Sequence, residues 1–319
     1  MRESTFSFWE DTEFNALPDK PLPPAADACQ GHPGEEESWF FEAWSGDGTY
    51  INVLATVYEE KGKSRLVLFR PGKEALTREF AAPVQPGRDR LDIRIAGSHL
   101  AREGDHFLLT WYGEDLTLEL EFHPVRPGWQ PGHGRINYGE KGDQYLFWSV
   151  PVPRARVSGS ITVAGDKAAF AGEGYSDHRR YNFPLSRNLA GGLLGRYYDD
   201  EYTLLWADFQ GNLLYSGKHI TALYLDRAGE LLASTGNLEV QVVETRRQGK
   251  LEYPGELFLQ AGTTPLVRLD SKETLALAPR MLTTLGTPGL YISYKGRLQL
   301  ATRPETAVTG QGHIETFTG

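Results

Sequence analysis

Leu116-Thr117-Leu118-Glu119-Leu120-Glu121-Phe122 alternates without a break: Leu116, Leu118, Leu120 and Phe122 point one way, and Thr117, Glu119 and Glu121 the other. A period of two is the pleat of an extended strand. One apolar and one polar face mean a sheet buried on one side only, as antiparallel sheets are. The reading extends outward to Leu91, Ile93 and Ile95 against Asp92 and Arg94, and to Leu238, Val240 and Val242 against Glu239 and Gln241. Turn residues such as Ser45-Gly46-Asp47-Gly48 and Gln210-Gly211-Asn212 separate the runs. From Glu37 onward about twenty candidate strands follow at the spacing of barrels and sandwiches. No amphipathic helix longer than about three turns and no βαβ rhythm is visible, which makes the chain all-β.

The composition agrees. With 35 glycines, 19 prolines and 12% aromatics in 319 residues, the chain is turn-rich, and 40% hydrophobic with 24% charged residues is globular. A net charge of −9 and the lack of a basic stripe argue against nucleic acid as a partner. The apolar stretch Tyr145–Val152 is too short to span a bilayer, so no stable membrane insertion is expected. Met1-Arg2-Glu3-Ser4 begins no signal peptide, and the single cysteine, Cys29, fits a reducing compartment, so the expected location is cytoplasmic.

Residues 1–36 are rich in Pro, Asp and Glu and read as an extended arm laid over the surface. The strand pattern breaks again around Asn182–Gly195, with a similar number of strands on each side. The simplest partition is an arm (1–36), one barrel over 37–184 and a second over 185–319. Between Pro124 and Asp143, Pro and Gly clusters surround Trp129 without apolar periodicity. Such a stretch is a lid or binding loop, or else a surface excursion pinned by its tryptophan.

Two segments hold the chemistry. In Gly172-Glu173-Gly174-Tyr175-Ser176-Asp177-His178-Arg179-Arg180-Tyr181, Asp177 and His178 are adjacent, so a strand sends them to opposite faces and they form no obvious dyad. His178 is either a proton donor or a structural imidazole bonded to a backbone carbonyl. In Tyr202-Thr203-Leu204-Leu205-Trp206-Ala207-Asp208-Phe209, the residues Tyr202, Leu204, Trp206 and Asp208 share one face. A carboxyl buried beside an indole would have a raised pKa and could donate a proton. Alternatively Asp208 braces the turn ahead of Gly211. His219 could face lumen or solvent. The eight histidines show no ligand spacing, and Tyr197-Tyr198-Asp199-Asp200-Glu201 reads as a hairpin tip, so no metal and no cofactor is expected.

Three motifs, in order, resemble one family. Glu37-Ser38-Trp39-Phe40-Phe41-Glu42-Ala43 with Gly46-Asp47-Gly48, then Gly172-x-Gly174-Tyr175-x-Asp177-His178, then Gly310-x-Gly312-His313-Ile314-Glu315 are similar to those of the hydroxyneurosporene synthase (carotenoid 1,2-hydratase) and AttH-like group. That group also contains lipocalin-like fungal Diels–Alderases and is related to plant tocopherol cyclases. The resemblance implies two lipocalin-like (calycin) antiparallel barrels in tandem, with a ligand pocket at or near their junction. It also implies that His178 works with an acid on a following strand, and Asp208 occupies that place. Where the family has Asn-Trp-Gly, this chain has Arg179-Arg180-Tyr181. A guanidinium at Arg180 suits an anionic or enolate-like group better than a carbocation.

The expected function is therefore a cofactor-independent cyclase or isomerase of natural-product metabolism, acting on a hydrophobic polyene- or prenyl-bearing molecule. The expected catalytic residues are His178, Asp208 and Arg180. Tyr175, Tyr181, Trp206, Tyr202, Trp39 and Arg179 are expected to line the substrate. Alkene hydration and non-catalytic carriage of a lipophilic ligand are the alternatives.

Overall fold

The computed structural model describes residues 26–84, 86–132, 134–138, 143–213, 217–261, 264–282 and 288–318. Residues 1–25 of the expected arm, and residues 133 and 139–142 of the loop between Pro124 and Asp143, lie outside the described residues. Among the described residues there are twenty strands and one four-residue helix. Among the described residues no helix is long and apolar enough to cross a membrane.

In the N-terminal half, β1 (Glu36–Trp44), β2 (Tyr50–Tyr58), β3 (Lys61–Phe69) and β4 (Leu76–Pro83) form a meander. The next strands are β5 (Asp92–Ile95), β6 (Ser98–Glu103), β7 (His106–Tyr112), β8 (Leu116–Pro124), β9 (Arg135–Tyr138), β10 (Gln144–Val163) and β11 (Asp166–Tyr181). The sheet runs β4-β3-β2-β1-β11-β10-β8-β7-β6-β5, with β9 pairing β10 off this path. Neighbours in this order pair antiparallel, and β11 returns to β1 with Glu36 opposite Tyr181 and Trp44 opposite Glu173. That pairing curls the sheet into a barrel. The opening heptapeptide sits inside it: Leu116, Leu118, Leu120 and Phe122 join Trp39, Phe41, Ile51 and Leu66 in one buried cluster.

After α1 (Leu185–Asn188), the C-terminal half repeats the plan. Its strands are β12 (Leu189–Tyr198), β13 (Tyr202–Gly211), β14 (His219–Arg227), β15 (Glu230–Thr235), β16 (Leu238–Gln248), β17 (Leu251–Ala261), β18 (Thr264–Leu282), β19 (Pro288–Leu300) and β20 (Ala307–Thr318). The order is β15-β14-β13-β12-β20-β19-β18-β17-β16, so the last strand again pairs the first. Tyr197, Leu204, Trp206, Leu223, Ile292, Tyr294 and Ile314 fill the inside. Both halves are lipocalin-like antiparallel barrels. The chain divides after Asn182, and Pro131–Tyr145 clusters with the C-terminal barrel.

Local chemistry explains the details. Ala164-Gly165 (φ 51° and 90°) and Ala228-Gly229 (φ 51° and 98°) join β10 to β11 and β14 to β15 by two-residue turns. Positive φ at both central residues matches the twist of the flanking strands. The 20-residue β10 slips in register against β11 between Ser149 and Val152 and between Val152 and Ala155. Pro151 and Pro153, which have no N–H to give the ladder, sit at those slips. One alternation departs from expectation. Val242 is 45% exposed, because β16 is the last strand of its sheet and its register with β17 slips just after this residue.

Trp129 is pinned: its backbone exchanges hydrogen bonds of 2.8 and 2.7 Å with Val150, and its ring meets Trp148 edge-on at 5.5 Å. Within the described end of the arm, Asp27, Ala28 and Cys29 are buried, whereas residues 31–34 are exposed.

Candidate functional site

The N-terminal barrel contains a closed polar network. Trp39 of β1 stands opposite His178 of β11, so both project to the same face. Their rings stack at 4.7 Å with 6° between planes. His178 Nδ1 lies 3.1 Å from the Ala26 carbonyl oxygen, Nε2 lies 3.2 Å from Glu37 Oε2, and the Trp39 indole donates to the Asp27 carbonyl at 2.8 Å. The other Glu37 oxygen accepts the backbone N–H of Gln30 at 2.8 Å and of Gly31 at 2.6 Å. The chain at residues 26–31 is drawn inward because three side chains of the barrel offer it partners.

Charge balances inside this network. Burial pushes the Glu37 carboxyl up, but the hydrogen bond and charge of His178, the Gly31 N–H and the Arg180 guanidinium together hold it below its usual range. Asp27 goes the other way: burial raises it to about 6 against the pull of Arg102, whose guanidinium is 3.4 Å away. Burial and Glu37 push the Cys29 thiol up to about 12, so it is an inert hydrogen-bond donor to Glu37. The Arg180 guanidinium lies over the Phe147 ring, 4.4 Å from its centroid.

The opposite face of β11 carries a separate set. Tyr175 donates to Asp177 Oδ2 at 2.8 Å, and Arg179 Nε donates to Asp177 Oδ1 at 2.8 Å. Tyr181 donates to Glu36. All of Tyr175, Asp177, Arg179 and Tyr181 are buried. The period of two thus splits the central motif, placing His178 and Arg180 on one face and Tyr175, Arg179 and Tyr181 on the other.

The C-terminal barrel holds Asp208. Tyr202, Leu204 and Trp206 face inward as part of the apolar cluster, and Asp208 continues that face to the rim where β13 ends. Only 9% of Asp208 is exposed. Its Oδ1 lies 2.6 Å from Nδ1 of His219, whose side chain is 55% exposed. Burial raises the Asp208 pKa, and the hydrogen bond and charge of His219 only partly offset this. A carboxyl easier to protonate than a free one thus lies within hydrogen-bond distance of a half-exposed imidazole. Tyr202 sits at the far end of β13, where the Arg227 guanidinium approaches its ring at 5.8 Å, and Asp199 caps the hairpin by accepting the N–H groups of Glu201 and Tyr202.

Among the described residues no group of three His, Cys, Asp or Glu side chains could hold a metal ion. A cavity of ≈ 370 Å³ opens in the N-terminal barrel between Arg102, Phe107, Pro124, Arg126 and Pro151. The residues around Pro124 in the suspected loop form its wall.

The geometry therefore joins His178 to Trp39 in the N-terminal barrel and Asp208 to His219 in the C-terminal one. Sequence reading left Glu37, Asp27 and His219 out of the candidate set. His219 had a usable signal, since it lies two residues ahead of Thr221, the register partner of Asp208.

Two meanders, each closed by its last strand on its first, define the class: a tandem pair of lipocalin-like β-barrels. Among solved structures, the chain is similar to a protein assigned as AttH from Nitrosomonas europaea, with a TM-score of 0.67 and 17% identity over 95% of this chain and 98% of that one. It is similar to CghA, solved with Sch210972, at a TM-score of 0.63 and 11% identity over 97% of each chain. It is also similar to kievitone hydratase from Nectria haematococca, at 0.62 and 15% identity over 97% of this chain and 95% of that one. At these identities the likeness is one of fold. Neither a family model nor a curated protein matches the sequence.

Proposed function

We propose that the chain is a cofactor-independent enzyme that cyclises or isomerises a hydrophobic polyene- or prenyl-bearing molecule, with Asp208 as the acid. The observation that carries this is the Asp208–His219 pair: a buried carboxyl of raised pKa, 2.6 Å from a half-exposed imidazole and on one face with Trp206. Asp208 gives its proton to one alkene carbon, and the π electrons form the new C–H bond, leaving a carbocation at the other carbon. The face of Trp206 stabilises that charge. A second alkene of the substrate attacks the cation, or a neighbouring C–H bond gives up its proton. The proton lost returns to the Asp208 carboxylate, so the product is an isomer. His219 exchanges protons between Asp208 and water. Wrapping the chain inside a barrel holds the reacting ends together.

His178 and Trp39 are proposed to fix the inward turn of residues 26–31, and Arg180 to balance Glu37. Tyr175, Tyr181 and Arg179 are proposed to support the sheet from its other face, and Tyr202 to close the far end of the lumen. Hydration is the second reading, favoured because the Asp208 pair reaches solvent, so water could capture the same cation. The fold shared with a kievitone hydratase is compatible with it.

Turnover in deuterium oxide separates the readings. Acid-initiated cyclisation places one deuterium at the protonated carbon and adds no oxygen. Hydration adds oxygen from labelled water, and a carrier returns its ligand unchanged. Full activity of Asp208→Asn would sink the assignment of the acid.

A further inference from the structure

The ≈ 370 Å³ cavity of the N-terminal barrel takes no part in the chemistry proposed for Asp208. Its volume falls in the range of small-molecule sites. β6 and β7 bring Arg102 and Phe107 to it, the end of β8 and the stretch that follows bring Pro124, Arg126 and Pro127, and β10 brings Pro151. All of these residues belong to one unit of the chain.

Two kinds of surface meet there. Three prolines and Phe107 give an apolar lining. Proline has no N–H and a fixed φ, so this part of the wall is stiff and offers no backbone donor at those positions. Charged donors come from the guanidiniums of Arg102 and Arg126, each a fork of N–H groups that keeps its charge. Asp105 is the one acid among the described residues on the wall, and its side chain is wholly exposed, 3.6 Å from His106. The lining therefore joins an excess of positive charge to apolar surface.

Local contacts hold both arginines in place. The Arg102 guanidinium lies 5.3 Å from the Phe107 centroid, and its Nε donates to the Gly104 carbonyl at 3.3 Å. Arg126 Nη1 donates to the Val125 carbonyl at 2.8 Å. A side chain fixed before the ligand arrives loses less freedom on binding. The ion pair of Arg102 with Asp27 is loose, at 3.4 Å, against about 2.7–2.9 Å for a strong charge-assisted bond. Burial also works against the charge on Asp27. An incoming anion thus competes with a weak partner.

The lining selects among ligands. An inorganic anion would leave the apolar wall uncovered, and a plain hydrocarbon would bury guanidiniums without giving them an acceptor. A cation would meet like charge. We infer that this cavity binds an amphipathic organic acid, its carboxylate held by Arg102 and Arg126 and its apolar body packed on Phe107 and the prolines. The site does not depend on the role of Asp208.

4-Phenylbutyrate tests this by titration calorimetry at neutral pH, beside its isosteric amide and beside acetate. The acid is expected to bind about tenfold tighter than the amide, the difference that charge-assisted hydrogen bonds make. Acetate, which lacks the apolar body, should give no measurable heat. Arg102→Gln and Arg126→Gln should each weaken the acid about tenfold and leave the amide unchanged. Asp27→Asn removes the competitor for Arg102 and should tighten the acid about threefold, a gain that an unfolded variant could not show. The inference is overturned if phenylbutyrate gives no heat, if acid and amide bind equally, if acetate binds as tightly as the acid, or if both arginine variants keep the parent affinity.

Discussion

Asp208 and Asp27 are both buried carboxyls with raised pKa, and they predict different measurements. If Asp208 is the acid, Asp208→Asn should lower turnover by roughly 10²–10⁴-fold, the range of general acid catalysis, with substrate affinity kept. His219→Ala should lower it less and shift the pH profile, which steady-state rates across pH would register. Asp27 acts on stability. Its shift from 3.8 to about 6 makes the folded state bind protons more tightly than the unfolded chain. Stability should therefore be greatest below the unfolded value and fall by ~3 kcal/mol as pH rises from about 4 to 6.5. Asp27→Asn should flatten that window in thermal unfolding, and an unchanged slope would place its origin elsewhere. Glu37, held low, works in the opposite sense: its contribution is present above its unfolded pKa and is lost as pH falls below 4.5. What sequence reveals at this scale is the face a side chain takes. The opposition of Asp177 and His178, and the shared face of Trp206 and Asp208, follow from the pleat alone. The partners do not. Glu37 meets His178 across 141 positions of chain, and no periodicity says which strand will lie alongside.

Among the elements, β12 and β20 are built around what their glycines leave free. Gly195→Ala and Gly312→Ala would each set a methyl against an aromatic ring at about van der Waals overlap. They are expected to cost ~1–3 kcal/mol each, as overpacked cores do, read by chemical denaturation and by a changed near-ultraviolet spectrum. The strands themselves were legible because alternation is local. Leu116–Phe122 and Leu91–Ile95 fall within or beside β8 and β5 with their apolar residues buried. Val242 fails the same rule because a register slip at a sheet edge depends on the neighbouring strand. The Ala-Gly turns escape a search for Asn-Gly or Asp-Gly, since positive φ on alanine is a conformation the sheet imposes rather than one the residue prefers.

For the whole molecule, each barrel is completed by strands far apart in sequence. Leu193 of β12 meets Thr316 of β20, and Arg196 meets Glu315 in a buried ion pair at 2.5 Å. Deleting residues 307–319 should abolish folding of the C-terminal barrel. The variant should bind a hydrophobic dye and lose near-ultraviolet dichroism, whereas a native spectrum would mean that β20 is dispensable. Refolding of the intact chain should be slow, in milliseconds to seconds or longer, as non-local pairing demands.

The pairing of Glu36 with Tyr181 has a consequence on the ribosome. Translation proceeds at roughly 5–20 residues per second, so β1 emerges roughly 7–30 s before the strand that will cover its open edge. During that interval Trp39, Phe40 and Phe41 lie on a strand with one side unmatched. Slowing elongation between β1 and β11 would lengthen this exposure, so synonymous codon changes there should alter soluble yield without altering a single residue.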